Sequence, residues 1–543
     1  MELTVSSGDN YLASAAFQAS IVRGIPYYDA IGMSLIGYDA SAIGNHEFDF
    51  GPDVFGNFVR SFSPELNFVS ANLDFTEEPD LQALVDDGRI AQSIVVKDRG
   101  ERFGIVGATT EALAVISSPR NVMVDAVAPA VQAEVDALTA DGIDKIIFIS
   151  HLQSLQEDLT LLSTLEDIDV AVAGGGDELL ANDGDLLVPG DTPAGSYPTE
   201  ATDAAGNTVP VVTTSGGYQY VGRLVVGFDK DGNVLQVDDS SGPVRVTTGA
   251  SNPDAVEPDP TVQTEVVDPV TEFVADLATT IVGTTETPLD SRRGAVTANG
   301  SITVTQRGER VSETNLGDLA TDAYVATATA LAPGFGLEPP DLAITNGGGI
   351  RTPDAELFPN ATPGSPEDVS RLALSNQFPF PNFLTLTQDV AMANLKEMLE
   401  NGVSRVAFVD GRFVHVSGLE YRWDSTRTAA VYDTASCDLI STGDRVTYIA
   451  LDPENDGVGV QVLYDASAGG WQVDESTFTV DIASIDFLSI AGSDCYDFGG
   501  SETARLGVLY GQAIEDFVVD DLGGVITATD YPFEGTNRIQ QEG

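Results

Sequence analysis

The sequence predicts an α/β protein made of two domains. Strand-like and helix-like segments alternate along residues 1–230 and again from about residue 284 to the end, as in layered α/β folds. Between them, residues 250–262 are rich in Pro, Asp and Asn, a composition typical of linkers. The 543 residues allow two to four domains of roughly 100–200 residues each. We predict an N-terminal domain over residues 1–250, a linker and helix over 251–284, and a C-terminal domain over 285–543.

The elements of the N-terminal domain follow from short apolar runs. Residues 2–7 predict a first strand that leads into a Gly-Asp turn, and because a domain seldom begins inside a core strand we expect further residues upstream. The runs 145–150 and 169–173 predict buried strands, since each ends at a polar or Gly-rich loop. Residues 183–245 predict a β-meander, and residues 261–282 predict a helix.

Charge and composition exclude two classes of protein. The chain has 25 Lys and Arg against 84 Asp and Glu, a formal net charge of −59, whereas a nucleic-acid-binding protein needs a basic face. A disordered chain is excluded because 42% of the residues are hydrophobic. With only four lysines, the acidic surface suits either a halophilic secreted protein or an ordinary acidic secreted one. No apolar run reaches the ~18 residues that span a bilayer.

The chain has two cysteines, Cys437 and Cys495. The absence of a Cys-x-x-Cys pair excludes a zinc site built on thiolates. The two residues either form a disulfide in an oxidising compartment or remain buried thiols.

The segment Gly44-Asn45-His46-Glu47-Phe48-Asp49 carries the sharpest chemical signal. At the end of a strand, an Asn-His pair can direct an amide oxygen to a metal ion and place an imidazole beside it. Asp49, three residues after His46, can fix the imidazole tautomer and raise its basicity. The pattern favours a catalytic metal centre over a loop histidine with a capping aspartate.

These six residues resemble the signature of the calcineurin-like metallophosphoesterases, in the form found in the 5'-nucleotidase family. Further segments resemble the family in the same order along the chain. They are Ser7-Gly8-Asp9-Asn10, Ile149-Ser150-His151, Glu313-Thr314-Asn315-Leu316-Gly317-Asp318-Leu319, Asn346-Gly347-Gly348-Gly349-Ile350-Arg351, Phe378-Pro379-Phe380-Pro381-Asn382 and Val416-Ser417-Gly418-Leu419. The resemblance covers most of the chain. It implies a four-layer α/β/β/α sandwich followed by a second α/β domain that binds the substrate.

The resemblance also implies two divalent cations, which bridge a hydroxide and bind phosphate oxygens. Asp9 would bridge both cations, and Asn45 and His151 would bind one of them. His46 would stabilise charge in the transition state or protonate the leaving oxygen, with Asp49 orienting its ring.

Two departures from the family concern metal ligands. The family's first strand carries an Asp-x-His pair that would lie before residue 1, so we expect a truncated member. The family's Gly-Gly-His-x-His loop is here Gly174-Gly175-Gly176-Asp177-Glu178. Either Asp177 and Glu178 supply oxygen ligands, which would favour Mn²⁺, Mg²⁺ or Ca²⁺ over Zn²⁺, or the loop has lost its metal role.

The C-terminal segments resemble a site for a nucleoside. Phe380 and Phe487 resemble the two rings that clamp the base, and such stacking contributes roughly 1–3 kcal/mol per base. Asp494 is the candidate for the ribose hydroxyls, in a segment one residue longer than the family's.

Polar residues of the same segments are candidates for further substrate contacts. Arg310 and Arg351 carry planar guanidinium groups that suit phosphate oxygens. Asn346 and Asn382 match positions that contact substrate in the family.

We therefore expect a phosphoric ester hydrolase that converts nucleoside 5'-monophosphates to nucleoside and phosphate. One alternative is a 2',3'-cyclic-nucleotide phosphodiesterase or nucleotide-sugar diphosphatase, and another is a catalytically impaired nucleotide-binding protein. The expected partner is a small nucleotide rather than a nucleic-acid polymer. We expect an extracellular or periplasmic location.

Overall fold

The computed structural model describes residues 2–542 apart from 65, 99, 231, 250, 251, 352–356, 360, 362–364, 434, 453, 454 and 456. Residue 251, where the predicted linker begins, therefore lies outside the described residues. The chain divides into two compact units, Met1–Thr271 and Glu272–Gly543. Within the described ranges, no helix is both long enough and apolar enough to cross a membrane.

The N-terminal unit alternates strands and helices along most of its length. Its strands are β1 (Val5–Ser6), β2 (Ala40–Ala42), β3 (Asn67–Val69), β4 (Leu73–Asp74), β5 (Ile90–Ala91), β6 (Ser93–Asp98), β7 (Glu101–Thr109), β8 (Met123–Val124), β9 (Ile146–His151), β10 (Val170–Val172), β11 (Thr199–Thr202), β12 (Thr208–Val212), β13 (Tyr220–Arg223), β14 (Val226–Phe228), β15 (Val234–Val237) and β16 (Gly242–Arg245). Its helices are α1 (Ala15–Arg23), α2 (Tyr28–Ile36), α3 (Gly51–Arg60), α4 (Pro79–Asp86), α5 (Leu113–Ile116), α6 (Val127–Ala140), α7 (Leu155–Leu162) and α8 (Pro260–Val262), with a 3₁₀ turn at His46–Phe48. The next helix, α9 (Asp268–Thr279), begins in this unit and ends in the C-terminal one.

Two sheets form the centre of this unit. The first has the order β1-β2-β3-β5, and all its neighbours are parallel. The second has the order β11-β12-β10-β9-β7-β6, in which the four inner strands are parallel and each edge strand is antiparallel to its neighbour. Parallel strands end at the same edge of a sheet, so the loops after them lie together.

Three apolar cores separate four layers. Phe58 of α3 and Phe68 of β3 belong to the core between the helices and the first sheet. Val69 and Ile105 lie in the core between the two sheets. Val131 of α6 lies in the core between the second sheet and its helices. The predicted α/β/β/α sandwich is confirmed.

The C-terminal unit is also α/β. Its strands are β17 (Ile281–Thr285), β18 (Ala295–Ala298), β19 (Ile302–Gln306), β20 (Leu342–Asn346), β21 (Glu367–Ser370), β22 (Phe383–Ala391), β23 (Val414–Ser417), β24 (Leu419–Asp424), β25 (Val431–Tyr432), β26 (Leu439–Ser441), β27 (Val446–Leu451), β28 (Gln461–Asp465), β29 (Gly470–Trp471), β30 (Thr479–Ile485), β31 (Glu502–Leu509), β32 (Val525–Ile526) and β33 (Ile539–Glu542). Its helices are α10 (Asn315–Phe335), α11 (Arg371–Gln377), α12 (Met392–Ser404), α13 (Asp486–Ser489) and α14 (Tyr510–Asp516).

Two five-stranded sheets organise this unit, in the orders β23-β20-β30-β22-β31 and β29-β28-β27-β24-β33. The long helix α10 begins where the Thr314 hydroxyl accepts the Gly317 N–H, the usual N-cap interaction. Its buried Tyr324 shares one core with Trp423 of β24 and Leu342 of β20. The predicted second α/β domain is confirmed.

Local predictions differ from the structure in two places. The predicted helix 261–282 ends at Thr279, because Ile281 already pairs with Ser370 in the β17–β21 ladder. The predicted meander was also partly wrong, since β12 joins β10 in the second sheet instead of pairing with the strand that follows it. In both places a tertiary strand pairing decides the local structure.

The two cysteines form a disulfide. The Cα atoms of Cys437 and Cys495 lie 5.0 Å apart. Of the two states that the sequence leaves open, the structure has the bonded one.

Candidate active site

The N-terminal candidates gather where parallel strands end. The loops 7–10 and 44–49 follow the neighbouring strands β1 and β2. His151 is the last residue of β9, and the loop 174–178 follows β10, which is parallel to β9. The His151 Nδ1–H donates to the Ser7 carbonyl oxygen at 2.7 Å, which joins the ends of the two sheets.

Asp9, Asn45 and His151 bring three polar atoms to one point. The Asp9 Oδ2 atom lies 3.0 Å from His151 Nε2, and the Asn45 Oδ1 atom lies 3.1 Å from the same nitrogen. Because Nδ1 donates to a backbone carbonyl, Nε2 is the ring nitrogen that faces the two oxygens, and it can serve as a metal ligand when it carries no proton. Gln153 donates its amide N–H to Asn45 Oδ1 at 2.7 Å and so holds that oxygen in place. His151 and Asn45 are buried.

Backbone geometry allows this close approach. A Cβ atom at Gly44 would lie 2.2 Å from Asp9 Oδ1, so any side chain at this position would displace the carboxylate. Asp9 itself has φ 53°, in the left-handed region that Asp tolerates better than most residues. The glycine at position 44 therefore leaves the space that the Asp9 carboxylate occupies next to Asn45.

The pKa values of Asp9 and His151 depend on each other. Burial raises the pKa of Asp9, but the nearby His151 and His46 outweigh burial and hold it below its ordinary value. Burial lowers the pKa of His151, whereas the Asp9 carboxylate raises it, and the net value lies above the ordinary one. Both shifts favour the charged forms, and both result from the short contact between the Asp9 carboxylate and the His151 ring.

His46 and Asp49 form a hydrogen-bonded pair beside this group. The His46 Nδ1–H donates to Asp49 Oδ2 at 2.6 Å, and the Ser117 hydroxyl donates to Asp49 Oδ1 at 3.1 Å. Asp49 is buried, while the His46 side chain is 22% exposed. His46 Nε2 lies 4.0 Å from Asp9 Oδ2. The geometry leaves the outer ring nitrogen directed toward the group around Asp9.

Sequence reasoning missed Glu47, whose buried carboxylate ties the two loops together. Its Oε2 accepts the N–H of Gly44 at 2.7 Å and of Asp9 at 3.0 Å, and its Oε1 accepts the Asn10 N–H at 2.7 Å. Burial and the Asp9 charge raise the pKa of Glu47 to about 6. Glu47 lies inside the six-residue motif, but the sequence alone does not show that its carboxylate is buried and bonded to the other loop.

The donor set of Asp9, Asn45 and His151 fits one divalent cation. A carboxylate oxygen and an amide oxygen suit Mn²⁺ or Mg²⁺, and an unprotonated imidazole nitrogen suits Zn²⁺. The Asp9 and Asn45 oxygens lie 3.0 and 3.1 Å from the same ring nitrogen, an arrangement that suits a positive charge between them. In the part of the chain that the structure describes, no group of three or more His, Cys, Asp or Glu side chains is arranged to hold a metal ion. The fit therefore depends on the Asn45 amide.

The structure does not bring Asp177 and Glu178 into the contacts of this group. Asp177 is exposed. Glu178 Oε1 accepts the Leu155 N–H at the start of α7. A Cβ atom at Gly176 would lie 1.9 Å from Glu178 Oε2, so the carboxylate occupies the space that a side chain at 176 would need. Their role as metal ligands stays a prediction.

In the C-terminal unit, Asn346 and Asp494 meet. The Asn346 side-chain N–H donates to Asp494 Oδ2 at 2.6 Å, although the two residues are 148 positions apart. Asp494 is half-buried, and burial, reinforced by the Asp410 charge, raises its pKa to about 6. Asn382 is buried and its carbonyl oxygen accepts the Tyr510 N–H.

Positive charges and aromatic rings lie in the same unit. The Arg351 guanidinium carbon lies 4.9 Å from the centroid of the Phe380 ring, a cation–π contact. Burial, with the nearby Arg351 and Arg293, lowers the pKa of Arg310 to about 9. Mutual repulsion of this kind suits an anionic ligand. Phe487 is half-buried against the core.

Comparisons with known proteins point to one family. Residues 281–467 match the family described as "5'-nucleotidase, C-terminal domain". The chain is 29% identical over 417 residues to the trifunctional nucleotide phosphoesterase protein YfkN of Bacillus subtilis, covering 72% of this chain and 25% of that protein. It is 26% identical over 426 residues to the 5'-nucleotidase of Bos taurus, covering 78% of this chain and 67% of that protein. The chain thus spans a quarter of the bacterial relative and about two thirds of the bovine one.

Two solved structures of other proteins resemble this chain. The crystal structure of a 5'-nucleotidase precursor from Thermus thermophilus matches with a TM-score of 0.69 and 27% identity over 99% of this chain and 90% of that one. The 5'-nucleotidase of Candida albicans matches with a TM-score of 0.51 and 13% identity over 95% of this chain and 89% of that one, a likeness in fold alone.

Fold and comparisons together define a two-unit α/β protein of the metallophosphoesterase type. The family match, the named relatives and the solved structure from Thermus thermophilus support the 5'-nucleotidase family for this chain. Its named relatives are phosphoric ester hydrolases, so the enzyme class predicted from the sequence is confirmed at the level of the family.

Proposed function

We propose that this chain is a metal-dependent phosphoesterase that hydrolyses nucleoside 5'-monophosphates to nucleoside and phosphate. The observation that carries the proposal is the meeting of Asp9 and Asn45 oxygens at His151 Nε2, at 3.0 and 3.1 Å, beside the His46–Asp49 pair. Relatives named 5'-nucleotidase and nucleotide phosphoesterase support the same class of substrate.

Asp9, Asn45 and His151 would hold one divalent cation, and a second cation with Asp177 or Glu178 among its ligands stays a prediction. Cations bound there would neutralise phosphate charge and lower the pKa of an attacking water. The chain's own contribution is to fix the ligands. The Ser7 carbonyl sets the tautomer of His151, and Gln153 holds the Asn45 oxygen.

His46 is the proposed general acid. A ring whose Nδ1–H donates to Asp49 keeps its Nε2 directed toward the group around Asp9, where a proton on Nε2 can stabilise phosphate oxygens or pass to the leaving group. Asp49 has a positioning role, because it fixes the ring and favours the protonated form.

The C-terminal unit is the proposed site for the nucleoside. Phe380 and Phe487 would stack on the base, an interaction that different bases can all make. The Asp494 carboxylate would accept hydrogen bonds from the ribose hydroxyls. The polar residues proposed to complete the contacts are Arg310, Asn346, Arg351 and Asn382.

A phosphate-release assay with Mn²⁺ tests the proposal. We expect release from AMP by the full chain, and a rate at least 100-fold lower for His46→Ala, since a general acid contributes about 10²–10⁴-fold. The panel includes 2',3'-cyclic AMP and a nucleotide sugar, because one relative is named a trifunctional phosphoesterase. Binding of AMP without phosphate release from any of the three would instead support a catalytically impaired nucleotide-binding protein.

An extracellular or periplasmic location is part of the proposal. Relatives include venom 5'-nucleotidases, and one solved relative is a precursor. The Cys437–Cys495 disulfide supports an oxidising compartment.

A further inference from the structure

The Cys437–Cys495 disulfide joins an exposed hairpin to the turn that carries Asp494. The hairpin consists of β25 and β26, and Cys437 lies between them, its N–H donating to the Asp433 carbonyl oxygen at 3.1 Å. At its other end the disulfide reaches Cys495, which is buried and directly follows Asp494 in the chain.

The turn around Asp494 has an unusual backbone. Asp494 has φ 54° and Cys495 has φ 61°, so two consecutive non-glycine residues lie in the left-handed region. This region is unfavourable for residues with a Cβ atom, and a pair of them persists only where the surroundings hold it. Residues held in this way concentrate at functional sites.

Three side chains besides the disulfide hold the turn. The buried Asn401 side chain donates to the carbonyl oxygens of Asp494 at 2.7 Å and Cys495 at 3.2 Å. The hydroxyl of Tyr496 donates to the Arg412 carbonyl oxygen at 2.6 Å. On the other side, Asn346 donates to the Asp494 carboxylate. Asp494 is therefore held both at its backbone carbonyl oxygen and at its side-chain carboxylate.

We propose that the Cys437–Cys495 disulfide and Asn401 are positioning elements that hold the Asp494 carboxylate where it accepts the ribose hydroxyls of the nucleoside. This inference rests on the proposed nucleoside site. Without the disulfide, the turn relaxes toward ordinary backbone angles and carries the carboxylate away from Asn346. The loss falls on ribose recognition, because stacking on the base by Phe380 does not involve this turn.

Calorimetric titration of the full chain with adenosine and with adenine separates these effects. The variants are Cys437→Ser/Cys495→Ser, Asn401→Ala, and Ser436→Ala as a matched control that alters the same hairpin turn but leaves the disulfide. For the first two variants we expect adenosine affinity to fall about tenfold, the usual scale for a hydrogen bond to a charged group. Adenine affinity should stay within about twofold, and Ser436→Ala should match the wild type for both probes.

The outcomes distinguish this inference from the proposed function. Adenosine affinity unchanged in the disulfide variant would overturn the positioning role and leave the nucleoside site intact. An equal loss of adenine and adenosine affinity would also overturn it, because the damage would then not be specific to ribose. If wild-type chain bound neither probe, the proposed function itself would fail and the inference with it.

Discussion

The substitution Asp49→Asn tests the proposed pair at the N-terminal site without changing its shape. The amide oxygen of the new side chain can still accept the His46 Nδ1–H, and its amide nitrogen can face the Ser117 hydroxyl, which accepts as well as donates. What the variant loses is the negative charge 2.6 Å from the imidazole. The substitution therefore separates charge from geometry.

The size of the effect follows from the hydrogen bond. A bond to a charged partner contributes about 1.5–3 kcal/mol against about 1 kcal/mol for a neutral one. A loss of about 1–2 kcal/mol of stabilisation of the protonated ring corresponds to roughly 5–30-fold in rate. We expect this decrease in kcat for AMP, with KM changed by less than about twofold, since Asp49 would act only through His46.

A double-mutant cycle makes the assay specific. Phosphate release from AMP with Mn²⁺ is measured for Asp49→Asn, His46→Ala and the double variant, with Ser117→Ala as a control that keeps the charge. If Asp49 acts through His46, the double variant is as slow as His46→Ala alone. Ser117→Ala should lower the rate less than Asp49→Asn does, because it leaves the carboxylate charge beside the imidazole in place.

If the substitutions at Asp49 and His46 act independently of each other, the proposed role of Asp49 is refuted. If Asp49→Asn lowered the rate by the same factor in the presence and absence of the His46 ring, Asp49 would not be acting through the imidazole. A rate for His46→Ala close to that of the wild type would remove the proposed general acid altogether.

Three further predictions concern other parts of the molecule. Phe380→Ala should raise the KM for AMP about tenfold, because stacking on a base contributes about 1–3 kcal/mol, and a change below twofold would count against the base clamp. The kcat/KM for AMP should rise as KCl increases from about 0.01 to 0.1 M, because the Debye length falls from about 30 to 10 Å and screens a chain with a net charge of −59; a fall over this range would contradict the argument. Burial raises the pKa of the fully buried Asp158 to about 7, so the folded state keeps a proton that the unfolded state loses above pH 4, and stability should fall as pH rises from 4 to 7. Urea unfolding of Asp158→Asn should show a pH slope shallower by about 1.4 kcal/mol per unit, and an unchanged slope would refute the assignment.

Much of the fold follows from the sequence because its signals are local. The apolar runs before Asp9, Asn45 and His151 predict strands, and strands that end in polar loops place those loops at one edge of a sheet. The apolar runs at β9 and β10 were located to within about a residue for the same reason. The four layers came from the resemblance to a family, since periodicity does not tell how two sheets stack.

What the sequence did not predict depends on contacts between distant residues. Glu47 binds the N–H groups of a loop about 37 positions away, and no local pattern identifies that contact. Asn401 holds a turn 93 positions away. The pairing of Cys437 with Cys495 was left open because two cysteines define a possible bond but not the redox state of the compartment.

The loop 174–178 shows that residue type alone does not predict whether a carboxylate binds a metal ion. The residue types Asp177 and Glu178 fit oxygen ligation, yet Glu178 caps α7 and Asp177 faces solvent. A carboxylate suits a metal ion, a helix N-terminus or water about equally well, so residue type alone does not choose among them.

The central claim is that Asp9, Asn45 and His151 hold the metal on which AMP hydrolysis depends. Phosphate release from AMP, measured against Mn²⁺ concentration after treatment with a chelator, tests it for the wild type and Asn45→Ala. The account predicts no release from the chelated chain, recovery on adding Mn²⁺, and at least about a tenfold higher Mn²⁺ requirement for Asn45→Ala. Release that survives chelation, or the same Mn²⁺ dependence in both proteins, would contradict it.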